Sequence, residues 1–260
     1  CATLRPQRTW STMTKRIKIG IDPGHGGAYT GTYSVSTVKD GLYEKDYALE
    51  LALMVREHLQ RCGFDVYMTR TTDVRPGDVT ARAQMLKDEH CDYGVSIHFN
   101  GSGNAAAHGC EVFVPYAETQ AAIEVGYYRE LGKYFKPRVP FARSNSVTDR
   151  NNTFDKKMNL STRRFDACSS QKEYFGVIRN SWPEVSTDLL EVCFLTNRGD
   201  VETYLEHRAE IAGGIACSIV EGFGEKYIPA NFEHGDDKPA KEIEHRSPSQ
   251  ASCNKINYVK

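Results

Sequence analysis

Alternating apolar residues mark the first predicted element. In RIKIGID, Ile17, Ile19 and Ile21 alternate with polar or small residues, and the run stops at a Pro-Gly pair. A period of two is typical of a β-strand, and the pair indicates a loop. The loop continues as GHGG, so that His25 lies among three glycines. Since glycine permits positive φ and close approach of the backbone, we expect His25 to be held near another part of the chain.

A helical period replaces the alternation from Glu44 onwards. Apolar residues recur three or four positions apart through EKDYALELALMVREHLQRCG, and Gly63 stands where a left-handed residue ends a helix. The pattern predicts an amphipathic helix that begins near Glu44. Next come a predicted strand in FDVYMTR, a predicted helix in VTARAQMLKDEHC with Asp78 as its cap, and a predicted strand in YGVSIHFN.

The second half of the chain continues this order. CEVFVP and STDLLEVCFL are predicted strands, ETQAAIEVGYYRELGKYF is a predicted helix, and a long final helix is predicted from about Asp200 to Phe223. Strands interleaved with helices are typical of a layered α/β fold. We therefore expect a single domain with a mixed, largely parallel central sheet of about six strands, flanked by helices on both faces.

Three segments depart from this pattern. Residues 1–14 are predicted to be a basic N-terminal extension, and residues 229–260, which contain few large apolar side chains, a linker or disordered tail. Residues 136–173 are polar and lack clear periodicity, so we interpret them as a long insertion that forms a working surface or a mobile loop. The main domain is expected over residues 15–228.

Composition and charge argue against several classes of protein. With 40% hydrophobic and 26% charged residues, the 260-residue chain can bury one sizeable core. A formal net charge of -1 gives no overall positive field, so nucleic acid is not an expected partner. No apolar run reaches the roughly 18 residues of a membrane span, and no export signal is visible. Cys1 is expected to be a processed end, with Met13 as a candidate natural start; a lipid-modified Cys1 is the alternative.

The eight cysteines do not suggest a metal site. No pair has CxxC spacing and none clusters beside histidines, so a cysteine zinc site is not expected. Cys62, Cys193 and Cys217 stand in apolar contexts, where a free thiol packs as a small hydrophobic group. Spacing alone does not determine whether any cysteines form disulfides.

Three candidate metal ligands fall at equivalent places in the predicted fold. His25 follows the first strand, Glu44 opens the first helix and His98 ends the strand YGVSIH. In an open parallel sheet, the carboxyl ends of strands and the amino ends of the following helices share one edge, so these side chains are predicted to meet. Two histidines and a carboxylate form a familiar zinc set that leaves a fourth position open. Taken singly, each residue also has a structural explanation.

Glu191 is an unusual acid within a predicted strand. In LLEVCF it stands among large apolar residues, where a buried carboxylate is unfavourable unless a charge or hydrogen bond compensates it. A nearby dication would compensate it and make Glu191 a base toward water. Asn100, two residues past His98, either orients other groups or forms a turn, and it is left outside the catalytic set. The remaining histidines are interpreted as structural: His58, His90, His108, His207, His234 and His245.

Other glycine-rich motifs do not fit the loop. A phosphate-binding loop needs a lysine followed by Ser or Thr, whereas AYT follows these glycines. The spacing of a dinucleotide fingerprint is missing, and no HExxH motif is present.

Four separated motifs, IDPGHGG, YEKDYALELA, SIHFN and LLEVCFLTN, occur in this order. Together they resemble the zinc-dependent N-acetylmuramoyl-L-alanine amidases of the type-3 family, over most of the chain. The resemblance implies a mixed sheet flanked by helices, one Zn²⁺ per chain bound by His25, Glu44 and His98, and Glu191 as the catalytic acid-base. Residues 15–228 would then be the zinc amidase catalytic domain.

The implied reaction is hydrolysis of the amide bond between N-acetylmuramic acid and L-alanine of the peptidoglycan stem peptide. This activity serves cell-wall lysis or remodelling, including that of autolysins and phage endolysins. Peptidoglycan is the expected partner, the chain is expected to be a monomer, and it is expected to act at the cell wall after secretion or release at lysis. Two alternatives stay open: a non-catalytic peptidoglycan-binding module, and a zinc carboxypeptidase or deacetylase acting on the same polymer.

The chain also departs from the family pattern. Several more residues than usual separate Pro183 from Glu191, and Cys193 stands where glycine is common. The insertion at 136–173 also exceeds the family's common connection, so its contacts with substrate do not follow from the resemblance.

Overall fold

The structure is a computed structural model that describes residues 16–35, 42–116, 122–145, 153–162, 164–165 and 172–230. Its elements all lie in the unit Cys1–Pro229. The predicted extension at 1–14 lies outside the described residues, as does nearly all of the predicted tail at 229–260. These domain boundaries therefore stay predictions.

The described residues include five helices. They are α1 (Glu44–Arg61), α2 (Val79–Asp88), α3 (Ala122–Leu131), α4 (Gly176–Ser181) and α5 (Arg198–Gly222). The predicted start of the first helix near Glu44 is confirmed. Asp78 caps α2 as predicted, since its carboxylate accepts the backbone N–H groups of Thr80 and Ala81. Helix α4 was not predicted, because six residues are too few to display a helical period.

The described strands form one mixed sheet. They are β1 (Lys18–Pro23), β2 (Asp65–Met68), β3 (Tyr93–Asn100), β4 (Glu111–Phe113), β5 (Phe141–Asn145), β6 (Thr153–Asn159), β7 (Arg164–Phe165), β8 (Lys172–Glu173) and β9 (Thr187–Phe194). The order is β2-β1-β3-β9-β4-β5-β6-β7, with β8 paired to β5. Strands β2, β1, β3 and β9 run parallel, and β4 runs antiparallel to β9. The predicted fold class, a mixed and largely parallel sheet flanked by helices, is confirmed.

The sheet has more strands than the expected six or so, because the predicted insertion at 136–173 contributes four of them. Strands β5 to β8 all lie in this region and pair with one another or with β4. The described part of this region thus contains regular strands that were not predicted, and its role as a working surface or a mobile loop stays a prediction. Segments such as FARSN and TFDKKMN lack the apolar alternation on which the strand predictions relied.

The two faces of the central sheet have different surroundings. Ile21 of β1 and Ile97 of β3 point into the main apolar core, to which α1 and α5 contribute. On the opposite face, Gly20 lies against α2, where a Cβ on Gly20 would come within 2.5 Å of Leu86 Cδ2. Helices on both faces thus bury most of β1, β3 and β9, whereas the edge strand β2 is partly exposed. The buried strands fix the backbone from which the candidate site is built.

Two further expectations concern the membrane and the thiols. Among the described helices, none combines the length and the apolar character that a bilayer span requires. The described cysteines, at positions 62, 91, 110, 193 and 217, carry free thiols. Cys193 is fully buried in the core, in agreement with its predicted packing, whereas Cys62 and Cys217 are partly exposed.

Candidate active site

The loop after β1 holds His25 in the left-handed region. Its φ is 60°, and the following Gly26 and Gly27 have φ values of 132° and 57°. For a residue that carries a Cβ, this conformation costs roughly 1–2 kcal/mol. Such strain persists only where surrounding contacts enforce it, and it is frequent at functional sites. The neighbouring glycines let the loop turn so that the His25 ring faces the start of α1.

Glu44, the first residue of α1, lies at the centre of the cluster. Its Oε1 is 3.1 Å from His25 Nε2 and 2.9 Å from His98 Nδ1. The same oxygen accepts the backbone N–H of Phe99 at 3.1 Å, and Oε2 accepts that of Thr32 at 2.9 Å. Only 6% of the Glu44 side chain is exposed. Two imidazoles therefore converge on one oxygen of a nearly buried carboxylate.

The electrostatics of this cluster favour charge on both partners. Burial alone would raise the pKa of Glu44, but hydrogen bonds from His25 and His98 hold that pKa far below its usual value. Burial acts to lower the pKa of His98, yet the Glu44 carboxylate raises it above the ordinary histidine value. A cation beside the ionised carboxylate is thus stabilised here, whether it is a protonated imidazole or a metal ion.

Two glycines leave the space that the rings occupy. A Cβ on Gly24 would approach the His98 ring to 2.5–2.7 Å. Gly31 has a φ of +69°, and a Cβ there would collide with the Glu44 carboxylate and lie 2.8 Å from His25 Cδ2. Since real Cβ atoms do not make contacts this short, both positions exclude larger residues.

The donor set fits a divalent metal ion. One ligand atom from each of His25, Glu44 and His98 lies within 4.8 Å of the other two. Zinc bound at about 2.1 Å in a tetrahedral site holds its donors about 3.4 Å apart, close to the separations measured from the Glu44 oxygen. The structure brings together the three residues that the sequence predicted to meet. Their role as metal ligands stays a prediction.

Glu191 lies next to His98 across the sheet. The two residues are direct partners in the parallel pairing of β3 with β9. Such partners project from the same face of a sheet, and neighbouring strands are about 4.8 Å apart. The charge of Glu191 also acts to raise the pKa of His98. The acid predicted as the general base is therefore adjacent to the ligand cluster.

A second acid in the same row, Glu111, was not predicted. It is the partner of Glu191 in the antiparallel pairing of β4 with β9, and it is 9% exposed. Its Oε2 accepts the side-chain amide of Asn100 at 2.9 Å, and its Oε1 accepts the guanidinium of Arg138. The position of Asn100 near His98 was the one available signal. Glu111 and Arg138 are 27 residues apart and share no motif.

A buried ionic network beneath the His25 loop was also missed. Arg82 of α2 donates to the Asp22 carboxylate at 2.7 Å and to the carbonyl oxygen of His25. Asp22 also accepts the hydroxyls of Thr69 at 2.6 Å and Ser96 at 2.8 Å. Burial acts to raise the pKa of Asp22, but Arg82 and the hydrogen bond from Thr69 hold it below its usual value. The network ties the strained loop to the sheet and to α2.

Comparison with known proteins gives a consistent result. A family model described as N-acetylmuramoyl-L-alanine amidase matches residues 19–221. The N-acetylmuramoyl-L-alanine amidase AmiA of Salmonella typhimurium is 26% identical over 243 residues, which cover 83% of this chain and 79% of AmiA. The germination-specific N-acetylmuramoyl-L-alanine amidase of Bacillus subtilis is 30% identical over 128 residues, 44% of this chain and 52% of that protein.

A solved structure of an N-acetylmuramoyl-L-alanine amidase also shares the fold. The crystal structure of the N-acetylmuramoyl-L-alanine amidase from Clostridium difficile 630 has a TM-score of 0.61 and 23% sequence identity. The match covers 82% of this chain and 100% of that one. At this identity the likeness shows that the fold is shared, and the roles of individual residues have to be argued from the site itself.

Proposed function

The chain belongs to the N-acetylmuramoyl-L-alanine amidase family, and on this premise we propose how its residues carry out the reaction. It is a hydrolase of peptidoglycan, and the bond cut is the amide between N-acetylmuramic acid and L-alanine of the stem peptide. The observation that carries the assignment of residues is the convergence of His25, Glu44 and His98 beside Glu191. We expect the enzyme to act at the cell wall and as a monomer.

In our proposal, His25, Glu44 and His98 hold one zinc ion. When bound, the ion would polarise the scissile carbonyl and lower the pKa of a water molecule from near 16 toward roughly 7. The two rings and the carboxylate supply the donor types that catalytic zinc sites use. The absence of a side chain at Gly24 and Gly31 leaves the space in which these donors lie close together.

Glu191 is proposed to move the proton. It accepts a proton from the attacking water as the new C–O bond forms at the carbonyl carbon, and it then donates that proton to the amine of L-alanine as the C–N bond breaks. The products are the carboxylate of the lactyl group and a peptide with a free amino terminus. The place of Glu191 in a buried strand, opposite His98, keeps the acid next to the ligand cluster without making it a ligand.

The test compares variants on isolated cell-wall sacculi. We expect Glu191→Gln to keep zinc and to lose about 10²–10⁴-fold in turnover, the usual contribution of a general acid-base. His98→Ala should lose both zinc and turnover. Glu57→Gln, which changes an exposed acid on α1, is the matched control and should behave as the parent.

Zinc content and product masses are the measurements. Peptides that begin with L-alanine identify an amidase. Other products would indicate a carboxypeptidase or deacetylase, and binding without any product a non-catalytic module. Turnover of Glu191→Gln at the parental rate would contradict the role given to Glu191.

A further inference from the structure

The segment that follows β2 supplies no proposed ligand, yet it contacts both segments that supply His25 and Glu44. Arg70, the second residue after the end of β2, is 3% exposed. A buried guanidinium needs hydrogen-bond acceptors for its donors, because an unpaired buried charge is strongly unfavourable. The acceptors that Arg70 uses are backbone carbonyls of the candidate site.

One nitrogen of Arg70 joins two ligand-bearing segments. Its NH2 group donates to the carbonyl oxygen of Gly24 at 2.7 Å and to that of Lys45 at 2.7 Å. Gly24 directly precedes His25, and Lys45 directly follows Glu44. The Nε of Arg70 also donates to the carbonyl of Pro23 at 3.0 Å. The guanidinium therefore sets the distance between the loop after β1 and the first turn of α1.

A second bridge from the same segment connects the same two elements. Asp73 accepts the backbone N–H of Gly27 at 2.8 Å and pairs with Lys45 Nζ at 2.5 Å. Lys45 Nζ also donates to the carbonyl of Gly27 at 3.0 Å. This bridge is more exposed than Arg70, since 49% of the Asp73 side chain is accessible.

Arg82 differs from Arg70 in what it connects. It donates to the carbonyls of Pro23 and His25 and to Asp22, all of which belong to β1 or its loop. Within the described part of the chain, Arg82 makes no hydrogen bond to the start of α1. Arg82 thus holds the loop, whereas Arg70 holds the loop and the helix together.

The charge of Arg70 makes its position informative. A fixed cation close to a proposed cation site opposes metal binding by simple Coulomb repulsion. Burial and the like charge of Arg82 also lower the pKa of Arg70 to about 10. Electrostatic attraction of the metal therefore does not explain a buried guanidinium here, whereas its planar, forked set of donors, which a lysine lacks, does.

We propose that Arg70 is a positioning residue that fixes the separation of His25 and Glu44 and thereby preorganises the metal site. The inference rests on the proposed function, in which these two residues are ligands. A site held in its binding geometry before the ion arrives does not spend binding free energy on ordering its ligands. Loss of Arg70 should therefore weaken metal binding more than it weakens the fold.

The experiment measures zinc affinity by competition with a chelator, together with thermal unfolding of the metal-free full chain. Arg70→Met should lower zinc affinity at least tenfold, and Arg70→Lys, which keeps the charge but not the fork, should fall between Arg70→Met and the parent. Saturating zinc should restore most of the turnover of Arg70→Met. Arg129→Met, which removes an exposed arginine paired with Glu130 and Glu221, is the matched control.

A core variant separates positioning from stability. Leu59→Ala lies at the far end of α1 and removes a fully buried side chain, so it should lower the unfolding temperature and leave zinc affinity unchanged. Equal losses of zinc affinity in Leu59→Ala and Arg70→Met would overturn the inference. Should Arg70→Met fail to fold, parental affinity in Arg70→Lys would overturn it.

The proposed function and this inference fail in different ways. Parental zinc affinity in Arg70→Met, with affinity lost in His98→Ala, overturns the inference alone. Parental affinity in His98→Ala overturns both, since the cluster would then not be the metal site.

Discussion

The two sides of the candidate site are stabilised by different means. On the side of β1 and α1, buried guanidinium groups from Arg70 and Arg82 hold backbone carbonyls, and both side chains are less than a tenth exposed. On the side of β4, the carboxylate of Glu111 is held by Asn100 and by Arg138, whose side chain is 45% exposed. Glu191 lies between the two sides, opposite both His98 and Glu111.

The difference suggests a division of work. The arginine side fixes backbone, so changes there should affect the geometry of the ligands and hence metal binding. The Glu111 side fixes an acid that is the direct strand partner of Glu191, so changes there should affect the rate of reaction and leave metal binding intact. Three substitutions, in order of decreasing expected effect, test this comparison.

The largest effect is expected for Gly31→Ala. The new Cβ would collide with the Glu44 carboxylate, and the residue would have to keep a φ of +69°. We expect a loss of about 1–2 kcal/mol in unfolding free energy. Zinc affinity should fall at least tenfold, because Glu44 or His25 has to move. Chelator competition and denaturant unfolding are the measurements.

Gly63→Ala is the matched control for this prediction. Gly63 also has a positive φ, +87°, but a Cβ there would meet no atom within 4 Å. It should lose about 1 kcal/mol of stability through the backbone alone and keep parental zinc affinity. If zinc affinity changed equally in the two variants, the collision with Glu44 would not be the cause of the loss.

An intermediate effect is expected for Glu111→Gln. The amide keeps the shape of the side chain but weakens its bond to Arg138 and its hold on Asn100. One weakened charged hydrogen bond amounts to ~1.4 kcal/mol, so turnover should fall about tenfold. Zinc affinity should stay within threefold of the parent, and steady-state kinetics with metal titration measures both quantities.

Glu130→Gln provides the control for Glu111→Gln. Glu130 also pairs with cations, Arg129 and Lys133, but the side chains of both are more than half exposed. Parental turnover is expected for this variant. A tenfold loss of zinc affinity in Glu111→Gln would show that the two sides of the site are not separate in function.

The smallest effect concerns Glu173, at the outer end of the β4 side. Burial raises the pKa of Glu173 to about 7, although backbone N–H groups of Tyr116 and Phe175 act in the opposite direction. Between its ordinary pKa near 4.5 and this value, the folded state keeps a proton that the unfolded state has lost. Stability therefore falls as pH rises through this window, and Glu173→Gln should reduce that dependence.

Urea unfolding of the metal-free protein at pH 5 and pH 8 measures this contribution. The difference in unfolding free energy between the parent and Glu173→Gln should change between the two pH values. Titration of the ligand cluster contributes equally to both proteins and cancels. A constant difference would show that Glu173 does not keep its proton in the folded state, while zinc affinity should be parental in either case.

Much of the fold could be predicted because its inner strands are buried on both faces. Ile19 and Ile21 point into the main core, and between them Gly20 leaves room for α2 on the opposite face. This alternation made β1 recognisable in the sequence. Strands β5 to β8 carry no such alternation. They were missed because the backbone pairing that defines them depends on β4 already being in place.

The meeting of His25, Glu44 and His98 could be predicted because one topological rule places strand ends and helix starts at the same edge. His25, Glu44 and His98 each follow from that rule. Arg70 and Glu111 do not follow from it. Arg70 binds backbone carbonyl groups, and Glu111 is placed by its pairing with Glu191 in the sheet, and the sequence reveals neither relation. The network around the site thus became apparent only once the chain was folded.

The two imidazoles meet the Glu44 oxygen through different ring atoms, Nε2 in His25 and Nδ1 in His98. Neutral imidazole carries its hydrogen on one nitrogen, so an ion bound at these atoms would select opposite tautomers of the two rings. The two histidines are then not equivalent chemically. A glutamine amide lies about as far along the side chain as Nε2, and an asparagine amide about as far as Nδ1. Glutamine is therefore the nearest substitute for His25 and asparagine for His98.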